Sequence, residues 1–197
     1  ARAHPGHPCG IPLIAMKTEA ASASQISATL QKYLKTQGLS AGEAVQLSVL
    51  AGGQSNPTYR VQAGQRQMVL RKQPPGELLP SAHAVDREFR VMRALGPAGV
   101  PVPRTVLFHA GRDVVGTPFY LMEKLEGRVF AAHSLPGLAP AERGAMYRSM
   151  AETLATLHLV DPAAIGLADY GKPGNYFARQ VARWSRQWEA SRTRENA

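Results

Sequence analysis

Cysteine is almost missing from this chain: Cys9 is the only one among 197 residues. A single thiol excludes an internal disulfide, so the fold must rest on its core, and a reducing, cytoplasmic setting is the expectation. Long apolar runs are missing too. None approaches the roughly 18 residues a membrane span requires, and the run Gly10–Met16 is broken by Pro12. The N-terminus lacks the apolar core of a secretory signal. Acidic residues are scarce, 14 against 23 Lys and Arg, which leaves a net charge of +9. That surplus invites nucleic acid as a partner. The cations form no stripe, however. Arg179, Arg183, Arg186, Arg192 and Arg194 gather near the C-terminus, the rest are scattered, and no aromatic-and-basic interleaving of a known nucleic-acid reader appears. Neither nucleic acid nor a membrane is expected as a partner.

What is present suits a soluble globular fold: hydrophobic residues make up 44% of the chain, enough for a sizeable core. Residues 1–21 read as a disordered, Pro/Gly-containing leader ahead of a candidate start at Met16. Its His4, His7 and Cys9 have soft-metal character but no partner set, so they are not taken as a metal site. From Ser22 the pattern turns helical, with Ile26, Leu30, Tyr33 and Leu34 on one face and Gly38 as the stop. Strands are expected at Val45–Leu50, Thr58–Gln62 and Gln67–Lys72, followed by "QPPGELLPS", whose prolines block both helix and ladder.

A helix over His83–Leu95 should bury Val85, Phe89, Met92 and Leu95, and two further strands are expected at Arg104–His109 and Pro118–Met122. Strands this close in sequence imply an antiparallel sheet with a helix packed on it. The remainder is helical. Ala141–Leu159 carries Met146, Met150, Leu154 and Leu157, and a second helix from about Asn175 carries Phe177, Val181, Trp184 and Trp188. Both stripes are expected to pack into a core.

Two motifs imitate phosphate chemistry without its context. Gly166–Lys172, "GLADYGK", has P-loop spacing, but Pro173 stands where Ser or Thr should hold magnesium and no strand leads in. Asp169-Tyr170-Gly171 resembles a kinase metal-binding triplet, but no catalytic loop precedes it. Both are read as chance matches.

The stretch Leu50–Lys72, "LAGGQSNPTYRVQAGQRQMVLRK", carries more. By itself Gly52-Gly53-Gln54-Ser55-Asn56-Pro57 is an ordinary hairpin loop. Its glycines would also let backbone amides approach an anion closely. The order of the segments after the loop matters: a strand ending in Arg71, a helix bearing Glu88 in "DREFRVM", then a strand "FYLME" running into Lys124-Leu125-Glu126-Gly127. Loop, cation, helical glutamate and strand-to-connector occur in that order in kinase-like ATP sites. If the register slips by one, Lys72 replaces Arg71 as the functional cation, on the opposite face of the strand. Arg71 is the preferred reading.

Together "GGQSNPTYRV", "MVLRKQPPG", "AVDREFRVMRAL", "GVPVPR", "GTPFYLMEKLEGRVF", "LATLHLVDP" and "RQVARWSRQWEAS" resemble the aminoglycoside phosphotransferase-like kinases, in the branch also found fused to acyl-CoA dehydrogenases. The resemblance covers roughly residues 25–197. It implies an α+β, protein-kinase-like fold in two lobes, an N-lobe over residues 22–122 and a hinge with a partial helical C-lobe over 123–197. It further implies transfer of the ATP γ-phosphoryl group to a small-molecule hydroxyl with Mg²⁺. By that likeness Gly52, Gly53, Gln54, Ser55 and Asn56 lie over the phosphates, and Arg71 stands where such kinases commonly have lysine, with Glu88 as its partner. Met122 backs the adenine pocket, and the Glu123 carbonyl and Leu125 amide read the adenine edge.

One departure is large. The family's His-Gly-Asp…Asn loop and later metal-binding Asp do not occur in these residues, and His158 in "TLHLVD" reads as a structural histidine. The expectation is therefore an N-terminal part of a small-molecule kinase, inactive by itself, with its metal ligands beyond this segment and the helices ending in Trp184 and Trp188 short of part of their packing surface. The alternative is a non-catalytic, kinase-like nucleotide-binding or scaffold domain. A hydroxyacyl-CoA or related hydroxy acid is the acceptor suggested by the fused branch.

Overall fold

The computed structural model describes residues 13–50, 56–76 and 83–191, with side chains from Gln25 onward. The His4, His7 and Cys9 group and the loop residues Gly52, Gly53, Gln54 and Ser55 lie outside the described residues.

Nine elements are described: α1 (Leu13–Thr36), β1 (Val45–Val49), β2 (Thr58–Ala63), β3 (Arg66–Lys72), α2 (Val85–Leu95), β4 (Thr105–His109), β5 (Phe119–Glu123), α3 (Pro140–His158) and α4 (Tyr176–Ser191). Every strand and helix expected from the pattern is there, displaced by a residue or two at most ends, the usual uncertainty of an element boundary. The exception is α1, which opens at Leu13 within the stretch read as a disordered leader. No Gly or Pro interrupts Leu13–Gln37, and Ala, Met, Lys and Glu favour helix throughout.

The five strands form one antiparallel sheet in the order β1-β2-β3-β5-β4. β2 and β3 join through Gly64-Gln65, where Gly64 takes a φ of +56°. A two-residue hairpin turn needs that left-handed backbone, and glycine adopts it without strain. β5 then inserts beside β3, with Arg71 directly opposite Tyr120 and Lys72 opposite Phe119.

That register divides the sheet into two working faces, because side chains alternate along a strand. On one face Leu30 and Leu34 of α1 pack, fully buried, with Val61, Met68, Leu70, Phe119 and Leu121. On the other stands α2, whose Phe89 ring lies 5.7 Å from that of Phe108 and 6.1 Å from that of Tyr120. Val85 and Leu95 are the buried residues of α2, while Phe89 and Met92 are half-buried. Both faces of the central strands are covered, which explains why β3 reads as a continuous apolar run.

The helical stripes of α3 and α4 do not form a core. Met150, Leu154 and Leu157 are exposed, as are Phe177, Val181, Trp184 and Trp188. Periodicity places apolar residues on one side of a helix but does not supply a partner for that side. Among the described residues, neither helix packs extensively against another element. No described helix is long and apolar enough to cross a membrane.

Candidate functional site

The α2 face of the sheet carries a connected polar network centred on Glu88. Strand alternation aims Arg71 and Tyr120, direct cross-strand partners, at that face. Glu88, in the first turn of α2, sits where the helix dipole favours a negative charge. Arg71 Nε donates to Glu88 Oε2 at 2.7 Å, and the Tyr120 hydroxyl donates to the same oxygen at 2.9 Å. The second carboxylate oxygen, Oε1, accepts from Asn56 Nδ2 at 3.0 Å and, more weakly, from Arg71 Nη2 at 3.4 Å. Arg71 Nη1 is anchored on Thr58 Oγ1 at 3.1 Å, and the Thr58 hydroxyl in turn donates to the Asn56 carbonyl.

Asn56 is 2% exposed. Its amide must turn Nδ2 toward Glu88, because a carboxylate only accepts, and Oδ1 is then left facing His83 Nδ1 at 2.8 Å. His83 must therefore carry a hydrogen on Nδ1. His83 holds a left-handed φ of +56°, uncommon for a side-chain-bearing residue, one step after the segment 77–82.

Burial, followed by the hydrogen bond to Glu88, pushes the Tyr120 phenol far above its ordinary range, so the hydroxyl stays a donor at any physiological pH. Arg71 is a guanidinium fixed in place on two sides. Three of its N–H groups are engaged within the chain, and two remain for a further acceptor among the described residues. Its side chain is 24% exposed, enough to meet a ligand at the surface of the sheet.

Lys72 is on the other face. It is buried beneath α1 with Nζ on the Val115 carbonyl at 2.6 Å, so the register settles which of the two cations pairs with Glu88.

Met122 lies on the same face of β5 as Tyr120, two residues further along, and is half-buried. The Glu123 side chain is engaged elsewhere: its Oε1 accepts from the Arg104 amide at 2.7 Å. Leu125 comes just after the end of the strand and is 61% exposed. The structure thus joins Asn56, Arg71 and Glu88 directly and sets Met122, Glu123 and Leu125 at the end of the neighbouring strand. Thr58, His83 and Tyr120 belong to the network but were not legible as site residues. Only the pairing of β3 with β5 brings Tyr120 opposite Arg71.

The two imitation motifs have other partners. Arg90 Nη1 donates to Asp169 Oδ2 at 3.0 Å, and Arg90 Nη2 to the Gly166 carbonyl at 2.8 Å. The Arg87 guanidinium covers the Tyr170 ring 4.4 Å from its centre. Gly166–Lys172 is a loop strapped to the outer side of α2, and no strand precedes it. Among the described residues no group of three or more His, Cys, Asp and Glu could hold a metal ion.

Residues 46–197 match the model of the phosphotransferase enzyme family. The chain belongs to that family. Among its relatives are the rat acyl-CoA dehydrogenase family member 11, 45% identical over 84% of this chain and 21% of its own length. The mouse acyl-CoA dehydrogenase family member 10 is 47% identical over 83% of this chain and 15% of its own length. The Arabidopsis thaliana protein IBR3, a probable acyl-CoA dehydrogenase, is 51% identical over 74% of this chain and 18% of its own length.

The fold is shared with a crystal structure from Ralstonia eutropha JMP134, solved as a candidate aminoglycoside phosphotransferase. It is 39% identical, with a TM-score of 0.68 over 85% of this chain and 48% of that one. This member of the phosphotransferase family therefore spans a fifth or so of the curated relatives it matches and about half of that solved chain. Its five-stranded antiparallel sheet with packed helices is the α+β, protein-kinase-like architecture of the family.

Proposed function

We propose that the α2 face of the sheet is the nucleotide half of an ATP-dependent phosphotransferase acting on a small-molecule hydroxyl. The observation that carries this is the Arg71–Glu88 ion pair, buttressed by Tyr120, Asn56 and Thr58. Polyphosphate requires a fixed cation with hydrogens to spare, and a guanidinium supplies planar, paired donors suited to phosphate oxygens. Arg71 would hold the phosphates, Glu88 would hold Arg71, and the amides of Gly52, Gly53, Gln54, Ser55 and Asn56 would close over them. Met122 would back the adenine, with the Glu123 carbonyl and Leu125 amide reading its edge. ATP brings the transferable phosphoryl group, and Mg²⁺ neutralises charge on it as it moves.

The 197 residues contain no His-Gly-Asp sequence to supply a base. This chain alone is therefore proposed to bind nucleotide without turning it over, its catalytic acids and magnesium ligands lying in the remainder of a longer protein. The acceptor proposed for the whole protein is a hydroxy acid or its acyl-CoA thioester, in keeping with the names of the acyl-CoA dehydrogenase relatives.

The test is titration of this chain with a non-hydrolysable ATP analogue and Mg²⁺ by calorimetry. Saturable binding, weakened tenfold or more by Arg71→Met, is expected. Absence of binding, or binding indifferent to both Arg71→Met and Glu88→Gln, would leave a kinase-shaped scaffold instead.

A further inference from the structure

On the face of the sheet away from Arg71, Lys72 has been taken out of water with no counter-charge among the described residues. The residue is 7% exposed, and its Nζ donates to the Val115 carbonyl at 2.6 Å. An ammonium carries three hydrogens, and the carbonyl receives one. No Asp or Glu among the described residues forms an ion pair with it, and its pKa falls through burial alone. A buried, unpaired charge is costly, and proteins ordinarily neutralise or pair it.

Lys72 lines a cavity of about 350 Å³ between α1 and the β4–β5 connection. Its walls combine apolar groups from Ile26, Pro75, Val114 and Val115 with the polar side chains of Gln25 and Thr29. The Thr29 and Thr117 hydroxyls already donate to the Gln25 and Gln73 carbonyls, so the two threonines offer lone pairs and Lys72 is the cationic donor. One positive donor beside a small pocket that is part polar and part aliphatic suits an anion with a short hydrocarbon tail.

We propose that this cavity is a binding site for a short-chain aliphatic carboxylate, with its carboxylate on Lys72 and its tail against Ile26, Val114 and Val115. The site is separate from the Arg71–Glu88 network, since consecutive residues of β3 face opposite sides of the sheet.

The test uses hexanoate, with hexanamide as its neutral counterpart, on the whole chain carrying ¹³C-labelled lysine side chains. Hexanoate should saturate, shift the Lys72 methylene resonance and raise its midpoint of titration. Hexanamide should bind at least tenfold more weakly, and Lys72→Met should abolish the preference. The wild-type resonance serves as readout even if that variant folds poorly. Equal binding of acid and amide, or a Lys72 resonance unmoved by hexanoate, overturns the proposal. Binding of an ATP analogue should be unchanged by hexanoate, so this result and that of the nucleotide titration are read separately.

Discussion

Tyr120 places its hydroxyl hydrogen on Glu88 Oε2, 2.9 Å away, the same oxygen that receives Arg71 Nε. The carboxylate is thereby held by a neutral donor from β5 as well as by the cation from β3. Tyr120→Phe removes the neutral donor only. Its expected cost is about 1.5 kcal/mol, the lower end for a hydrogen bond to a charged group because Glu88 is partly solvated. Urea unfolding would measure it, with the slope unchanged.

The same contact sets a pH dependence. The Tyr120 phenol is raised in the folded chain, chiefly by burial and then by Glu88. The folded state holds this proton more tightly than the unfolded state, so the contribution is complete below about pH 10 and is lost as pH climbs beyond it. Stability relative to Tyr120→Phe should fall above pH 10, and absorbance titration should show the Tyr120 phenolate forming late.

Arg71 and Glu88 should be energetically coupled. A double-mutant cycle with Arg71→Met and Glu88→Gln is expected to give about 1 kcal/mol of interaction, the upper end for a surface pair because both side chains are half-buried. Additive losses would show that the pair contributes no interaction energy.

Asp169 sits in a triplet resembling a metal-binding one, yet its carboxylate lies on Arg90, which holds its pKa below the ordinary range. Asp169→Asn should leave affinity for a magnesium–nucleotide analogue unchanged. Hydrogen exchange in the loop 166–171 should quicken, because the strap to α2 is weakened.

The chain has two tryptophans, Trp184 and Trp188, about 60% exposed on the same stripe of α4. Intrinsic tryptophan emission should therefore have the colour of a wet indole and be readily quenched by acrylamide. Trp184→Glu with Trp188→Glu should leave the unfolding midpoint unchanged. A blue-shifted, protected emission would show that the stripe is covered in solution.

The elements were legible because their signals are local. Proline-rich punctuation, a hairpin glycine and apolar periodicity fixed where strands and helices fall. The choice between Arg71 and Lys72 was not settled by periodicity alone, since a strand buried on both faces shows no alternation to read. Tyr120 was invisible as a site residue for a related reason: in "FYLME" it looks like any strand aromatic, and only the insertion of β5 beside β3 sets it against Glu88. The stripes of α3 and α4 misled in the opposite way. They name the side of the helix that would be buried but carry no information on what lies across from it.

The neighbouring cations of β3 are chemically alike and positionally opposite. Exchanging them would keep every charge, the composition and the strand itself. It would also put a planar guanidinium beneath α1, before the Val115 carbonyl, and leave a point-charge ammonium, with no fork, before Glu88. In this sheet the order of two adjacent letters decides which side presents a forked cation to a carboxylate.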